Sequence, residues 1–156
     1  MKIGPLMIGK DGGPESNVDG FLFEIKSLFS VGILRFKDGS RDAFHSHAFN
    51  CWSWLFYGYL VEAFLDTNDP RHSTRHKAPK FITTKRTDIH KVYSCGTSYV
   101  LTFRGPWKKT WIDVIEDDFG GWIVDRLTNN RQIVDTTVFG SRNQVLRDPQ
   151  TSRRLR

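Results

Sequence analysis

The chain has 156 residues, 38% of them apolar, with twelve Phe and five Trp; that suffices for one domain with a sizeable core and excludes a disordered tail protein. No run of 18 apolar residues occurs, which excludes a membrane-spanning helix. The net charge of +6 is unevenly placed: residues 141–156 hold five Arg and one Asp, and the rest of the chain holds 18 basic and 16 acidic residues, so the body lacks the charge imbalance of a dedicated nucleic-acid binder.

In chain order, residues 1–20 are rich in Gly and Pro and show little periodicity; a loop with one edge strand is expected. Their opening, MKIGPLMIGKDGGPES, has no apolar core followed by small residues, so no signal peptide is read. A cytoplasmic setting follows as the expectation, with Cys51 and Cys95 as thiols. Short runs rich in Val, Ile, Phe, Trp and Thr come next: 21–25, 28–36, 51–65, 79–84, 88–93, 98–105, 110–117 and 121–127. Turn pairs separate several of them, DG at 38–39, CG at 95–96, GP at 105–106 and GG at 120–121. RQIVDTTVF, 131–139, reads as a last strand or a short helix. No long apolar stripe of helical period is present. About eight short strands without helical crossovers imply an all-β, single-domain antiparallel fold, and a jelly-roll barrel is the simplest closure that protects its edges. Residues 21–140 form this barrel in the reading, 1–20 an N-terminal arm or edge strand, and 141–156 an Arg-rich tail able to contact protein or nucleic acid.

DTNDPRHSTRHKAP, 66–79, breaks the rhythm. It is polar, has no strand pattern and reads as a long loop, with His72 and His76 in solvent among Arg71, Arg75 and Lys77. Trp107, Lys108, Lys109 and Trp111 mix basic and aromatic character, a combination able to stack bases and equally explained by a turn leading into a strand.

FHSHAFNCW, 44–52, carries the chemistry. Residues i and i+2 of a strand share a face, so His45 and His47 project together. His90, inside the strand-like DIHKVY, is the candidate third ligand. Three neutral imidazoles suit Fe(II), Zn, Cu, Ni or Mn and leave positions open for water or substrate. Arg35, Arg41 and Arg104 are candidate substrate-binding cations: an arginine on an inward face is costly unless paired, and each could hold a carboxylate or phosphate in the barrel. Tyr99 is added as a further candidate substrate contact. The alternative for the arginines is an ion pair with Asp42, Glu62 or Asp113. Glu62 itself reads as a strand-surface or ion-pair residue.

An HxH pair alone is a weak signal. Its surroundings, however, resemble the first motif of the cupin superfamily: a Gly, five residues, HxH, three or four residues, Glu, six residues, Gly. Gly39, His45, His47 and Gly58 fall at that spacing, and Cys51 stands in the Glu slot. His90 resembles the single His of the second cupin motif, although Lys85 and Thr87 replace its usual Pro and Gly. HSHAFNCWSWLFYGYLVE, RTDIHKV and SYVLTFRGPWKKTW also resemble segments of small bacterial and phage cupin-like proteins, over about 39–111.

The resemblance implies a cupin barrel holding one divalent transition metal, with Fe(II) preferred. His45, His47 and His90 would be its ligands and Cys51 a possible fourth, in distant similarity to three-His thiol dioxygenases. Asn50 would hold a ligand ring from behind. The activity implied is a mononuclear, dioxygenase-like reaction on a small anionic substrate, in the cytoplasm or, for a phage protein, in the host cytoplasm or virion. A homodimer follows by analogy. Two other readings stand beside it: a non-catalytic bacterial or virion accessory module that keeps the barrel, and a metal-free sugar-nucleotide isomerase using a His base and a Tyr acid.

Overall fold

The computed structural model describes residues 2–14, 16–40, 43–66, 73–148 and 151. Its strands are β1 (Lys2–Ile3), β2 (Leu6–Lys10), β3 (Val18–Ile25), β4 (Phe29–Phe36), β5 (Gly39–Ser40), β6 (Phe44–His45), β7 (Cys51–Tyr57), β8 (Tyr59–Phe64), β9 (Ser73–Lys77), β10 (Lys80–Thr84), β11 (His90–Ser94), β12 (Ser98–Arg104), β13 (Thr110–Glu116), β14 (Trp122–Thr128) and β15 (Ile133–Phe139), followed by the helix α1 (Arg142–Arg147). They form two antiparallel sheets, in the orders β1-β2-β3-β4-β12-β7-β10 and β15-β14-β13-β6-β11-β8-β9, with β5 also pairing β11. The all-β, two-sheet jelly roll expected from the strand-like runs is present, with more and shorter strands than eight.

Alternation along the strands builds the space between the sheets. Leu22, Leu34, Leu55 and Val100 of the seven-stranded sheet meet Leu60 of the other. A second cluster, Ala48, Phe49, Cys51, Trp111 and Leu127, closes the region beside the histidines. A third lies on the far side of β13 and β14, where Ile112, Val114 and Val124 pack with Val145 of α1.

Several boundaries differ from the sequence reading. Within residues 1–20, expected as an arm or edge strand, β1 and β2 lie at the edge of the seven-stranded sheet and β3 begins at Val18. The run 51–65 is two strands, and Gly58 is where the chain leaves one sheet for the other. Residues 73–77, read as loop, form the edge strand β9 on β8, while 131–139 resolves as strand β15. The start of the Arg-rich tail is folded: α1 is capped by the Ser141 side chain, Val145 is fully buried, and Arg142 donates to the Leu65 carbonyl.

Gly58 shows why the resemblance motif holds a glycine there. Its φ is +93°, and an added Cβ would lie 2.3 Å from Ser98 Oγ and 2.7 Å from Ser98 Cα. Ser98 cannot retreat, because its hydroxyl receives the Tyr59 amide at 2.9 Å. Gly58→Ala is therefore expected to cost about 3 kcal/mol through backbone strain and overpacking. In a thermal melt followed by circular dichroism that cost reads as a drop in Tm of about 10 °C.

Candidate metal centre

Three strands of the eight-stranded sheet position the site. His45 on β6 and His90 on β11 are directly opposed in register. His47 follows β6 by two residues and turns its ring to the same place: the three ring centroids lie 4.9–5.0 Å apart. One ring nitrogen from each of the three lies within 4.8 Å of the others, and among the described residues no other set of His, Cys, Asp or Glu side chains converges in this way. His47 Nε2 and His90 Nε2 are 2.7 Å apart.

The side chain that orders this group is Glu62, on the neighbouring β8. Glu62 pairs with Val92 and Thr74 across the sheet, so His90 and His76 are its diagonal neighbours on the inward face. One carboxylate oxygen bonds His90 Nδ1, and the other bonds His76 Nε2 at 3.0 Å. Burial pushes the Glu62 carboxyl up, but the bonds and charges of His90 and His76 outweigh this and hold it below the usual carboxylate range. An ionised carboxylate only accepts, so both rings turn an N–H toward it. In its neutral form His90, with Nδ1–H on Glu62, carries its lone pair on Nε2, facing His45 and His47, the tautomer a metal ligand needs. Three imidazoles, one of them oriented by a buried carboxylate, are a donor set that fits a divalent transition metal.

The sequence reading missed this role for Glu62 and placed His76 in solvent. In the structure His76 is buried, at 7% exposure, and bonded to Glu62. A lone carboxylate two positions from Leu60 on one strand face was the available signal, since a buried charge requires a partner. Asn50 does not support a histidine: it is exposed, and its side chain accepts the Arg86 amide at 2.8 Å. His72 and Arg41 lie outside the described residues.

Cys51 stands outside the three-His group. It begins β7 in the opposite sheet, within the apolar cluster of Ala48, Phe49, Trp111 and Leu127, and it faces the same cavity. Burial pushes its thiol up, and hydrogen bonds with Thr84 and Ser53 and the charge of Arg104 offset this only in part. The thiolate form that metal binding requires is thus disfavoured here.

The cavity between the sheets has a volume of about 330 Å³. The three histidines and Glu62 form part of its wall, and Leu34, Phe36, Val92 and Val100 give it an apolar lining. Arg104 does point into it, as its strand parity implied, but its partner is none of the three carboxylates expected. Both of its terminal nitrogens donate to Asp11, in the loop after β2, and its guanidinium lies 4.8 Å over the Phe49 ring. Burial works against its charge, and Asp11 more than restores it.

Arg35 and Tyr99 are corrections. Both sit on the outer face of the seven-stranded sheet, Arg35 exposed and Tyr99 stacked on Phe56, and neither lines the cavity. No tyrosine lines it, so the isomerase reading lacks its acid. Trp111 is buried and Trp107 donates to Ser30, so this pair does not present a base-stacking surface.

No family model and no curated protein sequence matches the chain. Solved structures do. The putative ethanolamine utilization protein Q of Salmonella typhimurium superposes with a TM-score of 0.52 at 11% identity, covering 65% of this chain and 80% of that one. The polyketide cyclase RemF of Streptomyces resistomycificus gives 0.52 at 10% identity over 67% and 78%. The EutQ protein of Clostridium difficile gives 0.50 at 10% identity over 64% and 75%.

The two thiols offer a direct check of the cavity wall. Cys95 is exposed and Cys51 buried. In the native protein a thiol-specific disulfide reagent is expected to titrate Cys95 promptly and Cys51 at least about ten times more slowly. Addition of denaturant is expected to abolish the difference. The two-sheet jelly roll and the structural likenesses together give the chain the fold of the cupin superfamily.

Proposed function

We propose that the chain is a metal-dependent cupin enzyme in which His45, His47 and His90 hold one divalent transition metal, Fe(II) first among the candidates. The observation that carries this reading is the convergence of three imidazole nitrogens within 4.8 Å, one of them held lone-pair-inward by Glu62. Three protein ligands leave positions open at the cavity side, and a bound metal would supply Lewis acidity or oxygen activation there. The chain's own residues do the rest. Glu62 and His76 fix the ring of His90, and the apolar walls exclude water and orient the substrate.

The cavity also favours a class of substrate. Its buried cation, Arg104, is already matched by Asp11, which removes the main reason to expect a strongly anionic substrate. Leu34, Phe36, Val92 and Val100 on the walls favour a small molecule with an apolar body. With Fe(II) held by these three histidines the reaction would be oxidative and dioxygenase-like.

Metal analysis of the purified protein, reconstituted anaerobically with Fe(II), tests the reading. Wild type is expected to hold about one equivalent. His45→Ala and His90→Ala are expected to lose it, and Cys51→Ala to retain it. Wild type without stoichiometric metal of any kind would reject the proposal, and loss in Cys51→Ala would make the thiol a ligand. Glu62→Gln keeps the side-chain shape but removes the charge that orients two rings, and a competition titration should show metal affinity falling about 10–100-fold.

A further inference from the structure

Three carboxylate side chains line the cavity: Asp11, Glu24 and Glu62. Both oxygens of Glu62 and both of Asp11 accept hydrogen bonds from neighbouring side chains. Glu24 is different. Its register on β3 sets it in one inward row with Ser30, Arg104 and Cys51. Its side chain is only 6% exposed, yet among the described residues its carboxylate accepts no hydrogen bond. The cation paired with it, Lys26 Nζ, stands 4.0 Å away, beyond hydrogen-bond reach. Lys26 is committed elsewhere: it donates to the Asn129 carbonyl at 3.3 Å and lies 4.6 Å over the Trp107 ring. A carboxylate buried without donors is costly, and such a group calls for a cause. Its place on the cavity wall supplies one, because a ligand can bring the donors.

A second acceptor lies at the same end. Asn129 also lines the cavity, and its side-chain oxygen is buried without a hydrogen-bond partner. Lys26 touches both residues, so the two unmet acceptors are neighbours. A carboxylate and an amide oxygen only accept, so one head group matched to both must donate at least twice. A hydroxyl donates once and a carboxylate not at all. A primary amine, protonated at neutral pH, donates three times and brings the charge opposite to that of Glu24. The neighbouring cations leave room for it: Arg104 is matched by Asp11, and the Lys26 side chain is 35% exposed, where water screens its charge. The rings of Phe49 and Trp107, 4.9 Å apart, wall this end and already carry Arg104 and Lys26 on their faces, as aromatic faces favour.

We infer that Glu24, with Asn129, receives the primary amine of a small molecule whose apolar body lies along the rest of the cavity. The inference deepens the functional reading above by naming the substrate's head group, and it rests on the cavity being the place of binding. Glu24 and the three histidines stand on opposite sides of the cavity, in different sheets, so an amine held at Glu24 leaves the far end of the molecule to the imidazoles. The test uses the full chain stripped of metal with a chelator and titrated with n-hexylamine, n-hexanol and hexanoate, read by the fluorescence of Trp107 and Trp111 in the cavity wall. Hexylamine is expected to bind about tenfold tighter than hexanol, and hexanoate weakest. Glu24→Gln keeps the shape and removes the charge; hexylamine should bind it about tenfold more weakly and hexanol within about twofold of wild type. The variant should also keep the metal content of wild type. Absence of saturable hexylamine binding overturns the inference, and so does hexanol or hexanoate binding as tightly as hexylamine, whether or not the variant folds. A folded Glu24→Gln protein that binds hexylamine as wild type does, or that loses its metal, overturns it as well. Because binding is read without metal, a wild type that holds none rejects the metal-enzyme reading and leaves the amine site standing.

Discussion

A carboxylate buried in the wall of an apolar cavity must have both oxygens matched, or its burial destabilises the fold by several kcal/mol. Glu62 meets this requirement with one imidazole on each side, His76 from β9 and His90 from β11. Those bonds tie three adjacent strands at one register, because a one-residue slip of either neighbour would carry its histidine to the outer face. They also orient the rings: one nitrogen of each faces the carboxylate, and Nε2 of His90 faces His45 and His47. One charge thus links the folding of an edge strand to the readiness of the site.

The same requirement is met again across the cavity. Arg104 is buried at the end of β12, and the loop after β2 brings Asp11 to it. The opposed walls therefore each hold a matched charge, a carboxylate between imidazoles on one and a guanidinium against a carboxylate on the other. Beside these two matched charges the cavity presents apolar surface from Leu34, Phe36, Val92 and Val100 and the rings of the three histidines.

How far the sequence could be read depended on whether a local pattern had one solution. The spacing of Gly39, His45, His47 and Gly58 with His90 beyond them pointed to the fold and to the three histidines through its resemblance to the cupin motifs, whereas period-two parity by itself grouped only His45 with His47. Glu62 and His76 were legible only in part. β9 is a polar edge strand, as edge strands commonly are, and STRHK offers no apolar alternation to reveal it. The diagonal relation of β9, β8 and β11 is a matter of register, which parity along one strand does not contain. Arg35 and Tyr99 failed for a different reason. Parity grouped Arg35 correctly with Phe29, Val31 and Ile33, but both faces of β4 are apolar, so the pattern could not say which face was inside. Arg104, grouped with Ser98, Val100 and Thr102, fell on the inward side, and only its partner was unforeseen, since Asp11 is 93 residues away in the chain.

That degeneracy is informative in itself. A sheet with one face on the core and one in water alternates apolar with polar residues. The run CWSWLFYGYL does not alternate, and neither do FLFEI or LFSVGILRF; continuous apolar strands belong to sheets covered on both faces. In the eight-stranded sheet the second face is partly covered from within the chain, by α1 and its buried Val145 against β13 and β14. The seven-stranded sheet receives no such cover among the described residues, yet its outward positions are as apolar as its inward ones. The composition that made the inner face hard to identify and the aromatic residues exposed on the outer face, Phe21, Trp54 and Phe81 among them, are one fact: these strands have the composition of a sheet buried on both sides, and the described residues supply only one of the two layers.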